Sequence, residues 1–319
     1  MTGFGRRRER TGAGPAVDLS TRVGDVALAN PVMTASGTAG HGDELGRYVD
    51  LAGLGAVVVK SESARPWPGN AAPRVHETPA GMINAVGLQG GGVEHWLAED
   101  LPPLLAAGAT VVASIWGTAV EDYARAAELL AAAPPEVVAV EINVSCPNHH
   151  ARGEMFAHSE HGTAEVVAAT AGCGRPRWVK LSPNVTDLVA IARAAAEAGA
   201  DAVTLINTVM GMVIDPETRR PVLGNGGGGL SGPAIHPVAV RAVHDVHAAL
   251  PELPIVGVGG VARGVDAVEL LLAGASAVQV GTATFADPRA TEHVLGELQD
   301  WCARHGVRAA RELIGGAHG

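Results

Sequence analysis

The chain has 319 residues, 47% hydrophobic and 18% charged, which suits one large domain or two smaller ones and excludes a small binding module. A formal net charge of −10 excludes the basic footprint of a nucleic-acid-binding protein, so any anion site must be built locally from a few lysines or backbone N–H groups. The three cysteines, Cys146, Cys173 and Cys302, lie far apart with no Cys-x-x-Cys spacing, which excludes a disulfide framework and a four-thiolate iron–sulfur cluster within the chain and fits a reducing cytoplasm.

Residues 1–16 are basic and glycine-rich with no apolar stretch behind them, and read as a flexible tail ahead of one catalytic domain over 17–319. The string VDLSTRVGDVALAN (17–30) predicts a short β-hairpin around a Gly-Asp turn. Eight short apolar runs then alternate with alanine-rich segments, at 32–35, 56–59, 110–113, 137–142, 177–179, 202–206, 255–258 and 277–280. Helices are predicted between several of them, among them 186–198 and 265–273. Strand–helix alternation implies parallel pairing, and eight near-continuous apolar strands predict a single closed (β/α)8 TIM barrel. The connections 61–92 and 210–232 are rich in Gly, Pro and Asn and too long for simple helices; they are expected to be structureless loops forming a lid. The longest apolar stretch, 104–116, is broken by Gly, Thr and Ser, so a soluble, cytoplasmic protein without a membrane span is expected.

In such barrels the chemistry sits where strands end and the following loops begin. Those positions here carry Ser36-Gly37, Lys60-Ser61, Ser114, Asn143, Lys180, Asn207-Thr208, Gly259-Gly260 and Gly281-Thr282. Every strand delivers a small, amide, hydroxyl or cationic group to one rim. The glycines after strands seven and eight can cradle a phosphate with backbone N–H groups, although a glycine pair alone often only makes a turn. Lys60 and Lys180 each end an apolar strand; a lone lysine there snorkels to solvent, whereas two converging suit an anionic cofactor or a substrate carboxylate. Asn84, Asn143, Asn148 and Asn207 offer donors and acceptors together, as an imide-like heterocycle requires, where any single Asn is more often a turn residue. Cys146, in NVSCPN directly after strand four, can serve as nucleophile or general base. Cys173 and Cys302 are better read as small buried hydrophobes. His149 and His150 read as solvated loop residues, so no partner His stands at fixed spacing and proton abstraction is favoured over acyl transfer.

The strings NPVMTASG (31–38), GNAAPRVHETPAGMINAVGLQ (69–89), EINVSCPN (141–148), KLSPNVTD (180–187) and LINTVMGMVIDPETRRPVL (205–223) resemble the dihydroorotate dehydrogenase family, as do GGLSGPAIHPVAVR (228–241), PIVGVGG (254–260) and AGASAVQVGTATF (273–285). The resemblance runs from about residue 17 through nearly all of the chain. It points to the soluble class 1 enzymes with a cysteine base. Within these it is most like class 1B, whose catalytic subunit pairs with an FAD and iron–sulfur electron-transfer subunit that passes electrons to NAD. The resemblance implies FMN, a homodimeric core, and oxidation of (S)-dihydroorotate to orotate in pyrimidine biosynthesis. Cys146 would take a proton from carbon 5 while carbon 6 gives a hydride to the flavin. Lys60, Asn84, Ala85, Val86, Gly87, Leu88, Asn143, Asn148, Asn207 and Thr208 would hold the substrate. FMN would lie among Ser36, Gly37, Lys60, Ser61, Ser114, Asn143, Lys180, Ile206 and Gly232, its phosphate on Gly259, Gly260, Gly281 and Thr282.

Three departures mark this chain. Ser114 stands where the class 1B pattern usually has Asn, KSESARPW (60–67) is more polar than the usual Thr-rich run, and NHHARGEMFAHS (148–159) carries less glycine than the usual lid. Two other readings compete: a dihydropyrimidine dehydrogenase-like flavoenzyme acting on a ring without a carboxylate, and a flavin-free aldolase barrel with a Schiff base on Lys60 or Lys180.

Overall fold

The computed structural model describes residues 17–145 and 155–319. The tail read at 1–16 lies outside the described residues. The predicted hairpin is present as β1 (Thr21–Val23) and β2 (Val26–Leu28), followed by β3 (Val32–Thr34) and β4 (Val57–Val58). Next come β5 (Val75–Thr78), β6 (Gly81–Asn84), β7 (Val111–Ile115), β8 (Val137–Asn143), β9 (Arg177–Lys180) and β10 (Ala202–Leu205). The series ends with β11 (Val209–Gly211), β12 (Ile214–Asp215), β13 (Arg220–Pro221), β14 (Gly228–Ser231), β15 (Ile255–Val258) and β16 (Ala277–Val280).

Eight of these form one parallel sheet in the order β3-β16-β15-β10-β9-β8-β7-β4, and a parallel bridge from Met33 to Ala56 joins its two ends. This is the (β/α)8 barrel, and each predicted apolar run supplies one of its strands. Its strands are buried on both faces, which is why they read as unbroken apolar runs. One set of alternate residues, including Val57, Val111, Val140, Val179, Val203 and Ile255, packs outward under the helices. The other, including Met33, Val58, Val112, Ala139, Trp178 and Val256, fills the bore, where Val23, Val26 and Leu28 of the hairpin also pack. The predicted helix at 186–198 is shorter, Leu188–Glu197, because the Asp187 side chain accepts the Ala190 N–H at 2.9 Å and caps it there.

The two long connections are not structureless. β5 and β6 from the first and β11 and β14 from the second form one antiparallel sheet in the order β11-β14-β6-β5, and β12 and β13 pair as a further hairpin. The join is made where Asn84, Ile83 and Met82 pair with Gly229, Leu230 and Ser231. Among the described residues, no helix is long and apolar enough to cross a membrane.

Candidate active site

The site begins inside the barrel. Along β8, Ala139, Glu141 and Asn143 point to the bore at a two-residue spacing, and the register sets Glu141 beside Trp178 and Asn143 beside Lys180. Glu141 is fully buried; its Oε1 lies 3.5 Å from Lys180 Nζ and its Oε2 accepts from Gln279 Nε2 at 2.8 Å. Lys180 thus carries its charge upward into a cleft from a neutralising partner below. One layer up, Asn143 Oδ1 accepts from Ser145 Oγ and from Asn207 Nδ2, while Asn207 Nδ2 also donates to Ser145 Oγ at 2.7 Å. Tyr123 fixes the turn by donating its hydroxyl to the Asn143 carbonyl at 2.9 Å.

The antiparallel sheet supplies the outer wall. Asn84 Nδ2 donates to the Gly229 carbonyl at 3.3 Å, and Gly229 lies so close to the Thr208 side chain that any Cβ there would collide with it. Leu88 holds a left-handed φ of 56°, one of two such non-glycine residues among those described. On the opposite wall, Gly259 and Gly260 leave β15 with φ of 139° and 70°, while Gly281 and Thr282 leave β16. His236 braces the glycine turn, its Nδ1 donating to the Gly259 carbonyl at 2.8 Å and its Nε2 lying 2.9 Å from Glu269. Of these groups, Asn84, Leu88, Asn143, Lys180, Asn207, Thr208 and the two glycine-bearing strand ends line a single cleft at the C-terminal mouth of the barrel, and the others brace it from behind. Its described lining contains two lysines, Lys60 and Lys180, and no carboxylate, in a chain whose net charge is −10.

A family model for dihydroorotate dehydrogenase matches residues 18–301. The chain belongs to that family. Among its relatives, the catalytic subunit of dihydroorotate dehydrogenase B (NAD(+)) from Desulforudis audaxviator (strain MP104C) is 50% identical over 303 residues, covering 95% of this chain and 98% of the relative. The subunit of the same name from Geotalea daltonii (strain DSM 22248 / JCM 15807 / FRC-32) is 47% identical over 299 residues, covering 93% and 97%. That from Bacteroides thetaiotaomicron (strain ATCC 29148 / DSM 2079 / JCM 5827 / CCUG 10774 / NCTC 10582 / VPI-5482 / E50) is 44% identical over 299 residues, covering 93% and 98%.

In this dihydroorotate dehydrogenase, an oxidoreductase, most residues singled out from sequence meet in the cleft. Ser36, Gly37, Lys60, Ser61, Asn143, Lys180 and Ile206 line its floor, Asn84, Val86, Gly87, Leu88, Asn207 and Thr208 its outer part, and Gly232, Gly259, Gly260, Gly281 and Thr282 the remaining wall. Two do not reach it. Ser114 is buried one layer back, its short side chain spent on Ser61 Oγ at 2.8 Å and Ser36 Oγ at 3.3 Å, and the Ala85 side chain is buried in a small cluster with Ile83 and Leu223. Cys146 and Asn148 lie outside the described residues, as do His149, His150, Arg152 and Glu154 of the departing lid; Ser145, held between Asn143 and Asn207, is the last described residue before Cys146. Cys173 and Cys302 are buried free thiols outside the cleft's lining, and burial pushes the Cys302 thiol up.

Sequence reasoning missed Met82, Ser231 and Phe285 in the lining, and Glu141 beneath it. Glu141 had a signal, a charged residue within the apolar run VVAVEIN. The glycine turn is testable directly. A Cβ at Gly260 would fall 2.7 Å from His236 Cβ and 2.9 Å from the Gly232 carbonyl, on a backbone that L-residues rarely adopt. Gly260→Ala is therefore expected to lower the unfolding free energy by about 2 kcal/mol. An unchanged urea midpoint would show that the turn accommodates a side chain.

Proposed function

We propose that this chain binds FMN and oxidises (S)-dihydroorotate to orotate in pyrimidine biosynthesis, as the catalytic subunit of an assembly that hands electrons to NAD. The observation that carries the reading is the cleft's charge: two lysines and no carboxylate in its described lining, within an acidic protein. Such a cleft suits a phosphate and a substrate carboxylate together.

The residues present fit the cofactor by their chemistry. Gly37 leaves room beside Lys60, since a Cβ there would stand 3.3 Å from the Lys60 Nζ. The Gly259-Gly260 and Gly281-Thr282 ends supply backbone donors where barrels bind phosphate, and Lys180 offers a fixed charge to an electron-rich ring. FMN, when bound, supplies the two-electron acceptor for the hydride leaving carbon 6 of the substrate.

This chain's own residues do the rest. Lys60 pairs with the substrate carboxylate; Asn84, Asn143 and Asn207, with Asn148, hold the ring amides; the backbone of residues 85–88 closes over the plane. Cys146 removes the proton from carbon 5. Carboxylate recognition by Lys60 favours dihydroorotate over uracil-like rings, which lack that group. The relatives are named as catalytic subunits of an NAD(+)-linked enzyme, which supports a separate electron-transfer subunit carrying FAD and an iron–sulfur cluster. The three cysteines of this chain could not hold such a cluster themselves. A homodimeric core in the cytoplasm completes the proposal.

The test is an anaerobic visible spectrum of the purified chain before and after dihydroorotate is added. A yellow protein that bleaches is the expected result. A yellow protein that stays oxidised would move the substrate to another pyrimidine, and a colourless one that FMN cannot reconstitute would overturn the proposal.

A further inference from the structure

Behind the floor of the cleft lies a second charged pair, made by residues 21 positions apart. Glu62 follows the strand end that carries Lys60 and Ser61, and its side chain is 2% exposed. His41 Nδ1 lies 2.5 Å from Glu62 Oε1, and Gly92 N–H donates to Oε2 at 2.8 Å. Gly90 packs directly on the carboxylate, so that a Cβ there would collide with both oxygens. The Glu62 backbone also ties this segment to the end of β7, donating to the Ser114 carbonyl at 2.8 Å and accepting from Trp116 N–H at 3.1 Å.

One buried carboxylate therefore fastens three segments that reach the cleft: the Ser36–Thr38 turn through His41, the Lys60–Ser61 strand end through its own backbone, and the substrate wall through Gly90 and Gly92. The wall needs fastening. Gly87 and Leu88 both sit at positive φ, 77° and 56°, and a left-handed leucine persists only where its surroundings over-determine it. Glu62 grips the chain two and four residues beyond Leu88.

We propose that the Glu62–His41 pair is a positioning element for the substrate end of the cleft, setting the affinity for the pyrimidine carboxylate through the 85–88 segment. The inference rests on the functional reading above. Neither residue lines the cleft, so the role is indirect.

The groups facing His41 are Glu62 and Lys60 from the strand end, Glu44 from its own loop and Asp100 from the helical segment behind, which pairs with His95 at 3.8 Å. Trp96 Nε1 donates to the His41 carbonyl at 2.9 Å and fixes the backbone there. The hydrogen bond to Glu62 raises the His41 pKa above its ordinary value. The pair is accordingly complete below the ordinary histidine range and loses its positive partner as pH rises through the raised value.

The experiment titrates the FMN-loaded full chain with orotate across pH, reading the flavin spectrum, and measures the limiting rate of anaerobic reduction by dihydroorotate in parallel. Wild type is expected to bind orotate more weakly on the alkaline side. Glu62→Gln should weaken orotate binding about tenfold, and His41→Asn, which keeps a donor on a half-buried side chain, about threefold. Both should flatten the alkaline limb, with limiting reduction rates within about twofold of wild type. Gly90→Ala, which displaces the carboxylate sterically, should reproduce Glu62→Gln. Unchanged affinity and an unchanged alkaline limb in His41→Asn would overturn the inference, as would equal losses of affinity and limiting rate in Glu62→Gln. A wild-type protein that bleaches while its variants match it loses only this inference; one that neither bleaches nor binds orotate loses the functional reading as well.

Discussion

Replacing Glu141 by Leu is expected to cost about 3–5 kcal/mol of folding stability, and more than replacing Glu141 and Lys180 together. Glu141 is fully buried and Lys180 is 5% exposed, so the single change leaves an ammonium in the bore without its counter-charge and strips Gln279 Nε2 of its acceptor. The double variant Glu141→Leu/Lys180→Met removes both charges and keeps the volume, and buried pairs replaced whole by apolar side chains are often neutral. Stability and function should then separate: if FMN binds as proposed, the double variant folds yet reduces its flavin slowly, because the fixed charge proposed to face the cofactor is gone. Urea midpoints of the two variants decide the first part. A double variant no more stable than Glu141→Leu would mean that the pair acts through packing rather than charge.

The same strand shows what could be read from the sequence. The eight barrel strands were legible because both of their faces are buried, so each is a compact apolar run bounded by polar residues. The rim was legible for the same reason, since the first polar residue after each run marks the strand's C-terminal end. Depth was not legible. Ser114 read as a strand end like the others, but β7 runs on to Ile115, and a serine hydroxyl is too short to reach past Ser61 and Ser36. The antiparallel sheet was hidden because its strands, VHET, GMIN, VMG and GGLS, are partly exposed or glycine-rich, with no clean alternation. Its partners also stand far apart: Asn84 pairs with Gly229 across 145 positions, and no local pattern announces such a contact. The Glu62–His41 pair escaped likewise, although the polar run KSESARPW had marked the place.

Cys146→Ser is expected to leave FMN bound while slowing its reduction by dihydroorotate about 10²–10⁴-fold at pH 7, the range that general bases contribute. The expectation rests on the proposed role of Cys146 and on the groups held immediately before it in sequence. Ser145, the residue before it in sequence, is buried and held at its hydroxyl by Asn143 and Asn207, two of the amides proposed to hold the substrate ring. A cysteine thiol ionises at about 8.5 in the absence of perturbation, so a few per cent is thiolate even at pH 7, and thiolate is intrinsically a strong base and nucleophile. Serine has no ionised form to offer in that range. Because the amides and lysines proposed to bind the ring are untouched, orotate affinity should change little, and the loss should appear in the limiting rate of the half-reaction. Anaerobic stopped-flow reduction at saturating dihydroorotate measures that rate directly. A variant reduced as fast as wild type at pH 7 would take the base away from Cys146. A variant that loses orotate affinity in proportion to its rate would make the residue part of the binding wall rather than the acceptor of the carbon 5 proton.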